Sequence, residues 1–171
     1  VMHGGRGGSR SWSAIRALLI RGIKEPGLRV LCAREVQSSM RESVHQLIRD
    51  QIKLMGLESL YRVLEAEIRG PGGTTFTFKG LNDPDALKST EGVDVVFLEE
   101  ARSITKTSWE KLDPTIRKDG SEIWIAFNPE LEQDFIYQLF VANAPPPDSI
   151  VVKCGWQSNP WFPEVLRKQM E

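Results

Sequence analysis

HGGRGGSRSW, residues 3–12, fixes how the rest of the chain is to be read. Gly4, Gly5, Gly7 and Gly8 run into Ser9-Arg10-Ser11, and an apolar segment follows at once. A phosphate-binding loop needs small residues, so that backbone N–H groups can turn inward around phosphate oxygens. It also needs a cation for the β- and γ-phosphates, a hydroxyl for Mg²⁺, and a helix whose N-terminus faces the anion. Counted from Gly4, the spacing G-x-x-x-x-G-K-[ST] puts Ser9 at the second glycine, Arg10 at the lysine and Ser11 at the hydroxyl. Two of the four defining positions depart from the pattern, so a plain glycine-rich turn fits the same residues. The nucleotide-binding candidates are Gly5, Gly7, Gly8, Ser9, Arg10, Ser11 and Trp12. Arg10 keeps a permanent charge and can fork onto two phosphate oxygens, but it is bulkier than an ammonium. Ser9 adds a Cβ where the backbone has to approach phosphate closely. Arg6 is a second cation in the loop, able to reach a γ-phosphate or to pair with a surface carboxylate.

Outward from the loop, residues 11–23 read as a helix with Trp12, Ile15, Leu18, Leu19 and Ile23 on its apolar face. LRVLCA (28–33) is a short apolar run suited to a buried parallel strand. Apolar residues at three- and four-residue steps from Val36 to Met55 predict a long helix capped by Gly56. Residues 61–69 and 74–79 predict two strands of a hairpin joined by Gly70-Pro71-Gly72-Gly73. Strands are predicted at 93–98 and 122–127, with a last one at 150–154. Thr107 and Glu110 suggest a capping box, and 134–141 a helix. Apolar strands alternating with helices imply an open α/β sheet, in which ligands sit beyond the carboxyl ends of the strands.

The 171 residues suit one domain with a sizeable core. A net charge of −1 announces no global basic field for nucleic acid, although a local patch can still hold DNA. Cys32 and Cys154 lie in separate apolar runs, which suggests buried free thiols in a reducing compartment. His3 and His45 form no cluster with them, so no zinc site is expected. No uncharged apolar stretch of about 18 residues predicts a membrane span. Only Val1-Met2-His3 precede the loop, and the chain stops inside a predicted helix, so an excised piece of a longer protein is expected.

VVFLEE (95–100) supplies the second half of the chemistry. Hydrolysis of a nucleoside triphosphate needs a carboxylate that holds the metal at a strand end and a base that orients water. Adjacent residues at a strand end point in opposed directions and can take different roles. Glu99 is therefore the metal candidate and Glu100 the catalytic base; two solvated glutamates closing a strand are the plainer reading. Asn128, after EIWIAF, is placed to sense a γ-phosphate, or simply to form a turn with Pro129. Lys88 can act in trans on a neighbour's nucleotide or stand solvated.

The blocks GGRGGSRSW, VLCAREVQSSMRESV, TFKGLNDPDALKSTEGVDVVFLEEARSITKTSWEKLDPTIRK, SEIWIAFNP and SNPWFPEVLRKQME resemble, in order, the ATPase domain of tailed-phage terminase large subunits. Most members carry Gly and Lys where this chain has Ser9 and Arg10. The resemblance implies an ASCE-type P-loop NTPase fold over residues 1–171, a three-layer sandwich with a mostly parallel central sheet and an added hairpin. It places the metal carboxylate at Glu99, the catalytic glutamate at Glu100 and the coupling motif at Ala126-Phe127-Asn128. It further implies ATP and Mg²⁺ as cofactors, and double-stranded DNA, a portal protein, a terminase small subunit and ring self-association as partners. The implied location is the host cytoplasm, at the procapsid. No nuclease activity is expected from this stretch. A degenerate nucleotide-binding or scaffold module, and a repair or recombination ATPase, are the alternatives.

Overall fold

The computed structural model describes residues 1–36, 41–82, 91–159 and 162–170. Its centre is an eight-stranded sheet. The strands are β1 (Met2–His3), β2 (Arg29–Arg34), β3 (Arg62–Val63), β4 (Glu67–Arg69), β5 (Thr75–Gly80), β6 (Val95–Glu99), β7 (Glu122–Phe127) and β8 (Val152–Lys153). They lie in the order β3-β4-β5-β2-β6-β7-β1-β8. Every pairing from β5 to β8 is parallel, and only β3–β4 and β4–β5 are antiparallel. This is the mostly parallel P-loop NTPase-like architecture with a hairpin added at one edge. The predicted strand at 61–69 is itself two strands, so the hairpin is a three-stranded meander.

The central strands are buried on both sides, which is why they read as continuous apolar runs. Val30, Cys32, Val95, Phe97 and Ala126 join one core. Their neighbours Leu31, Ala33, Val96, Leu98, Ile125 and Phe127 join the other. Helices α1 (Arg10–Lys24) and α2 (Gln46–Leu54) supply Ile15, Leu18, Leu19, Ile48 and Ile52 to the first core. Helices α3 (Lys106–Leu112) and α4 (Phe135–Tyr137, continued by a π-helical turn Gln138–Ala142) supply Leu112, Ile136 and Phe140 to the second. The last helix, α5 (Glu164–Met170), leaves Val165 and Leu166 exposed.

Several local expectations change. The buried stripe of α1 is Ala14, Ile15, Leu18, Leu19 and Gly22, while Trp12 and Ile23 are exposed. Gly22 is what lets α1 approach the hairpin, because a Cβ there would lie 2.6 Å from the Tyr61 hydroxyl. Of the long helix predicted from Val36 to Met55, residues 37–40 lie outside the described residues; Val36 stands in irregular backbone, and a π-helical turn, Arg41–His45, leads into α2. Gly56 does end it, at φ 66°. The cap of α3 is Thr105 rather than Thr107: its hydroxyl oxygen accepts from Ser108 N at 3.2 Å. A partner remote in sequence selects that cap, since the Glu35 carboxylate accepts from Ser108 Oγ at 2.8 Å and from Thr105 N at 3.2 Å. Cys32 is buried and its thiol pKa is pushed up by burial, whereas Cys154 is only half-buried; both are free thiols. Among the described residues, no helix is long and apolar enough to cross a membrane.

Candidate nucleotide site

Parallel register brings the carboxyl ends of four strands to one sheet edge. His3 is paired with Phe127, Glu99 with Ala126, and Ala33 with Leu98. The residues that follow, Gly4, Asn128, Glu100 and Arg34, therefore stand side by side. A cleft of about 1300 Å³ opens there. Gly5, Arg6, Gly7, Gly8, Ser9, Arg10, Ser11 and Trp12 line it, together with Glu99, Glu100 and Asn128. Each of these candidate residues thus reaches one cavity; Lys88 lies outside the described residues.

The glycine loop connects β1 to α1 and turns through two glycines at positive φ, Gly4 at 144° and Gly7 at 85°. Ser9 closes it at φ 53°, ψ 19°, immediately before α1. That conformation is the natural territory of glycine, and a residue with a Cβ is strained there by roughly 1–2 kcal/mol. Ser9→Gly is therefore expected to stabilise the fold by about 1 kcal/mol, read as a rise in denaturant midpoint at unchanged m-value. A lower midpoint would show that the serine side chain compensates its own backbone.

The loop is braced from outside. Asn159 donates from Nδ2 to the Gly7 carbonyl at 2.7 Å, and the Phe162 ring packs where a Gly7 side chain would stand. Asn159 and Phe162 thus cover the loop, a contact that no local pattern around Gly7 announces.

Ser11 Oγ donates to Glu99 Oε1 at 3.2 Å, joining the first turn of α1 to the end of β6. Burial pushes the Glu99 carboxyl above its ordinary 4.5, against the opposing hydrogen bond and charge of Arg34. Arg34, which no motif in the sequence singles out, joins both carboxylates. Buried at the end of β2, it donates from Nε to Glu99 Oε2 at 2.8 Å. Its Nη2 contacts the same oxygen and lies 3.1 Å from Glu100 Oε1. Glu99 and Glu100 therefore do not point in opposed directions, as strand alternation predicts. Glu100 leaves the extended conformation, with φ 51° and ψ 41°, so alternation stops at Glu99 and both carboxylates meet one guanidinium. A non-glycine residue in left-handed backbone beside a cleft is a pointer to function.

Arg10 does not extend toward solvent. Only 8% exposed, it folds beneath the loop and donates from Nη1 to the Gly5 carbonyl at 2.7 Å and the Cys154 carbonyl at 2.8 Å. Its Nη2 donates to Asn128 Oδ1. Arg6 is exposed at the cleft with no hydrogen bond or ion pair among the described residues. Trp12 is 48% exposed, with the Arg16 guanidinium 5.5 Å above its ring and Arg16 Nε held by Gln51 Oε1 at 2.6 Å. The donor set fits an oxygen-loving divalent cation: one hydroxyl and one carboxylate already joined, with room for phosphate oxygens and water.

Comparison with known proteins bears on the fold and the family. The PBSX phage terminase large subunit of Bacillus subtilis (strain 168) is 27% identical over 116 residues, covering 67% of this chain and 27% of that protein. A large terminase from a thermophilic bacteriophage superposes with a TM-score of 0.78 at 14% identity, over 99% of this chain and 43% of its own. That protein has also been crystallised with ADP and with ATP-γ-S. The large terminase ATPase domain of Thermus phage P74-26 matches with a TM-score of 0.64 at 19% identity, over 82% of this chain and 62% of its own. This chain therefore spans less than half the length of the PBSX protein and of the thermophilic-phage terminase. The profile of phage terminase large subunits matches residues 1–171 throughout, and the chain belongs to that family.

Proposed function

We propose that this domain hydrolyses ATP with Mg²⁺ and that the hydrolysis drives double-stranded DNA into a viral procapsid. The observation that carries the reading is the meeting of the glycine loop, the Ser11–Glu99 pair, Glu100 and Asn128 in one cleft. The nucleotide complexes of the thermophilic-phage terminase add support.

In this reading the loop amides, Arg6 and Arg10 hold the phosphates, and Trp12 borders the nucleotide at the start of α1. Ser11 and Glu99 would hold Mg²⁺, which when bound neutralises the β- and γ-phosphate oxygens. Glu100 accepts a proton from water as the water oxygen bonds to the γ-phosphorus. The bond from that phosphorus to the β,γ-bridging oxygen breaks, and ADP leaves with the bonding pair. Asn128 reports phosphate occupancy to the loop after β7. Ring assembly at the portal, the small subunit, a trans-acting Lys88 and a site of work in the host cytoplasm belong to the same proposal.

The test is Mg²⁺-dependent phosphate release from ATP by the whole chain, with and without Arg10→Lys. Release by the native chain is the expected result. The second reading, a nucleotide-binding or scaffold module without turnover, draws on the engagement of Arg10 by three protein oxygens. A silent native chain beside an active lysine variant would favour that module.

A further inference from the structure

Arg10 carries its charge into the interior on neutral partners among the described residues. Burial pushes its pKa down, and its three hydrogen-bond partners are neutral oxygens. Among the described residues no carboxylate pairs with it, in contrast to Arg34, which holds two. A buried guanidinium satisfied only by neutral acceptors lies higher in free energy than one facing an anion. The surrounding structure nevertheless keeps it there. A Cβ at Gly8 would lie 2.7 Å from Arg10 Nη1 and 2.6 Å from the Cys154 carbonyl oxygen, so only glycine leaves the passage open.

The three contacts differ in how readily they yield. Gly5 and Cys154 offer backbone carbonyls, and the Cys154 amide is itself bonded to the His3 carbonyl at 2.7 Å, which fixes β8 on β1. Asn128 alone offers a side chain, free to rotate about its own bonds. A phosphate oxygen arriving in the loop therefore competes most cheaply for Nη2, and a guanidinium can keep Nη1 on the backbone while Nη2 changes partner. Two residues after Asn128, Glu130 pairs with Arg102, which lies in the turn that starts at Glu100.

We propose that Arg10 is a phosphate-operated latch: without nucleotide it holds Asn128 against the loop, and a bound phosphate releases Asn128 by taking Nη2. Arg10 is then a positioning residue for the loop after β7 as well as a counter-charge, which gives the arginine a task that a single-point ammonium does less well. The inference rests on the proposed nucleotide site.

The experiment uses the whole chain and ADP with Mg²⁺, so that direct γ-phosphate contacts play no part. Isothermal titration should show Asn128→Ala binding ADP about tenfold more tightly than the native chain, because a competitor for Nη2 is gone. Asn128→Asp should bind about tenfold more weakly, because it places a carboxylate on the same nitrogen. Amide exchange over residues 128–134 should quicken on ADP addition in the native chain and be indifferent to ADP in Arg10→Lys. Thermal melts establish that the variants are folded. Equal or weaker ADP binding by folded Asn128→Ala, or native-like ADP-dependent exchange in Arg10→Lys, overturns the latch and leaves the nucleotide site standing. A native chain that binds neither ADP nor ATP overturns both.

Discussion

Replacing Glu100 by glutamine is expected to lower ATP turnover by about 10²–10⁴-fold while leaving ATP affinity within a few-fold of native. The substitution keeps the size and hydrogen-bonding outline of the side chain and removes its capacity to take a proton. Glu100 sits one residue past β6, in left-handed backbone, with its carboxylate 3.1 Å from Arg34 Nη2 and its side chain 59% exposed. Because it is exposed, loss of its charge is expected to cost well under about 1 kcal/mol of stability. Lost turnover in a variant that melts normally would then report chemistry rather than folding. Single-turnover phosphate release and nucleotide titration, measured on the same preparation, separate the two quantities. Native-rate hydrolysis by Glu100→Gln would remove Glu100 from the role of base.

The second large effect is expected at Arg34. Truncation to alanine leaves Glu99 buried beside Glu100 with its cation gone. Removing one partner of a buried ion pair costs about 3 kcal/mol, and for a chain of this size that lowers Tm by roughly 10 °C. The pH dependence distinguishes this cause from simple loss of packing. Burial holds the Glu99 carboxyl above 4.5 even with Arg34 in place. A carboxyl raised by folding contributes stability that is full below its unfolded pKa and is lost as pH rises through its folded pKa. Arg34→Ala raises the folded value further, so its deficit should be largest at neutral pH and shrink as pH falls toward 4.5. Adding Glu99→Gln should recover part of the loss at neutral pH, because no charge is then stranded. A deficit independent of pH, or no recovery in the double variant, would mean that Arg34 acts through its aliphatic stem alone.

The two residues also show why the site is only partly legible in the chain. Glu100 is visible because it follows the apolar run of one strand, a purely local pattern. Arg34 stands 65 positions before Glu99, in a run that by itself shows only a basic residue closing a strand. What joins them is the register that sets Ala33 beside Leu98. The cap of α3 has the same origin, since Thr105 outcompetes Thr107 through a glutamate 70 residues away. The exposure of Trp12 and Ile23 likewise follows from where α1 meets its neighbours rather than from helical spacing.

Local spacing alone carries the glycine loop, the apolar strands, the helix that follows the loop and the carboxylates at the end of β6. Each of these rests on burial that repeats with period two or 3.6, or on a turn chemistry confined to a few neighbouring residues. The placement of the cations, by contrast, waits for the folded sheet. Spacing in HGGRGGSRSW sets Arg10 at the lysine position and Arg6 as a second loop cation, but it does not tell that Arg10 is buried on three oxygens from three strand ends while Arg6 stays in the open cleft. A guanidinium settles where several acceptors converge, and that convergence exists only after β1, β7 and β8 have aligned.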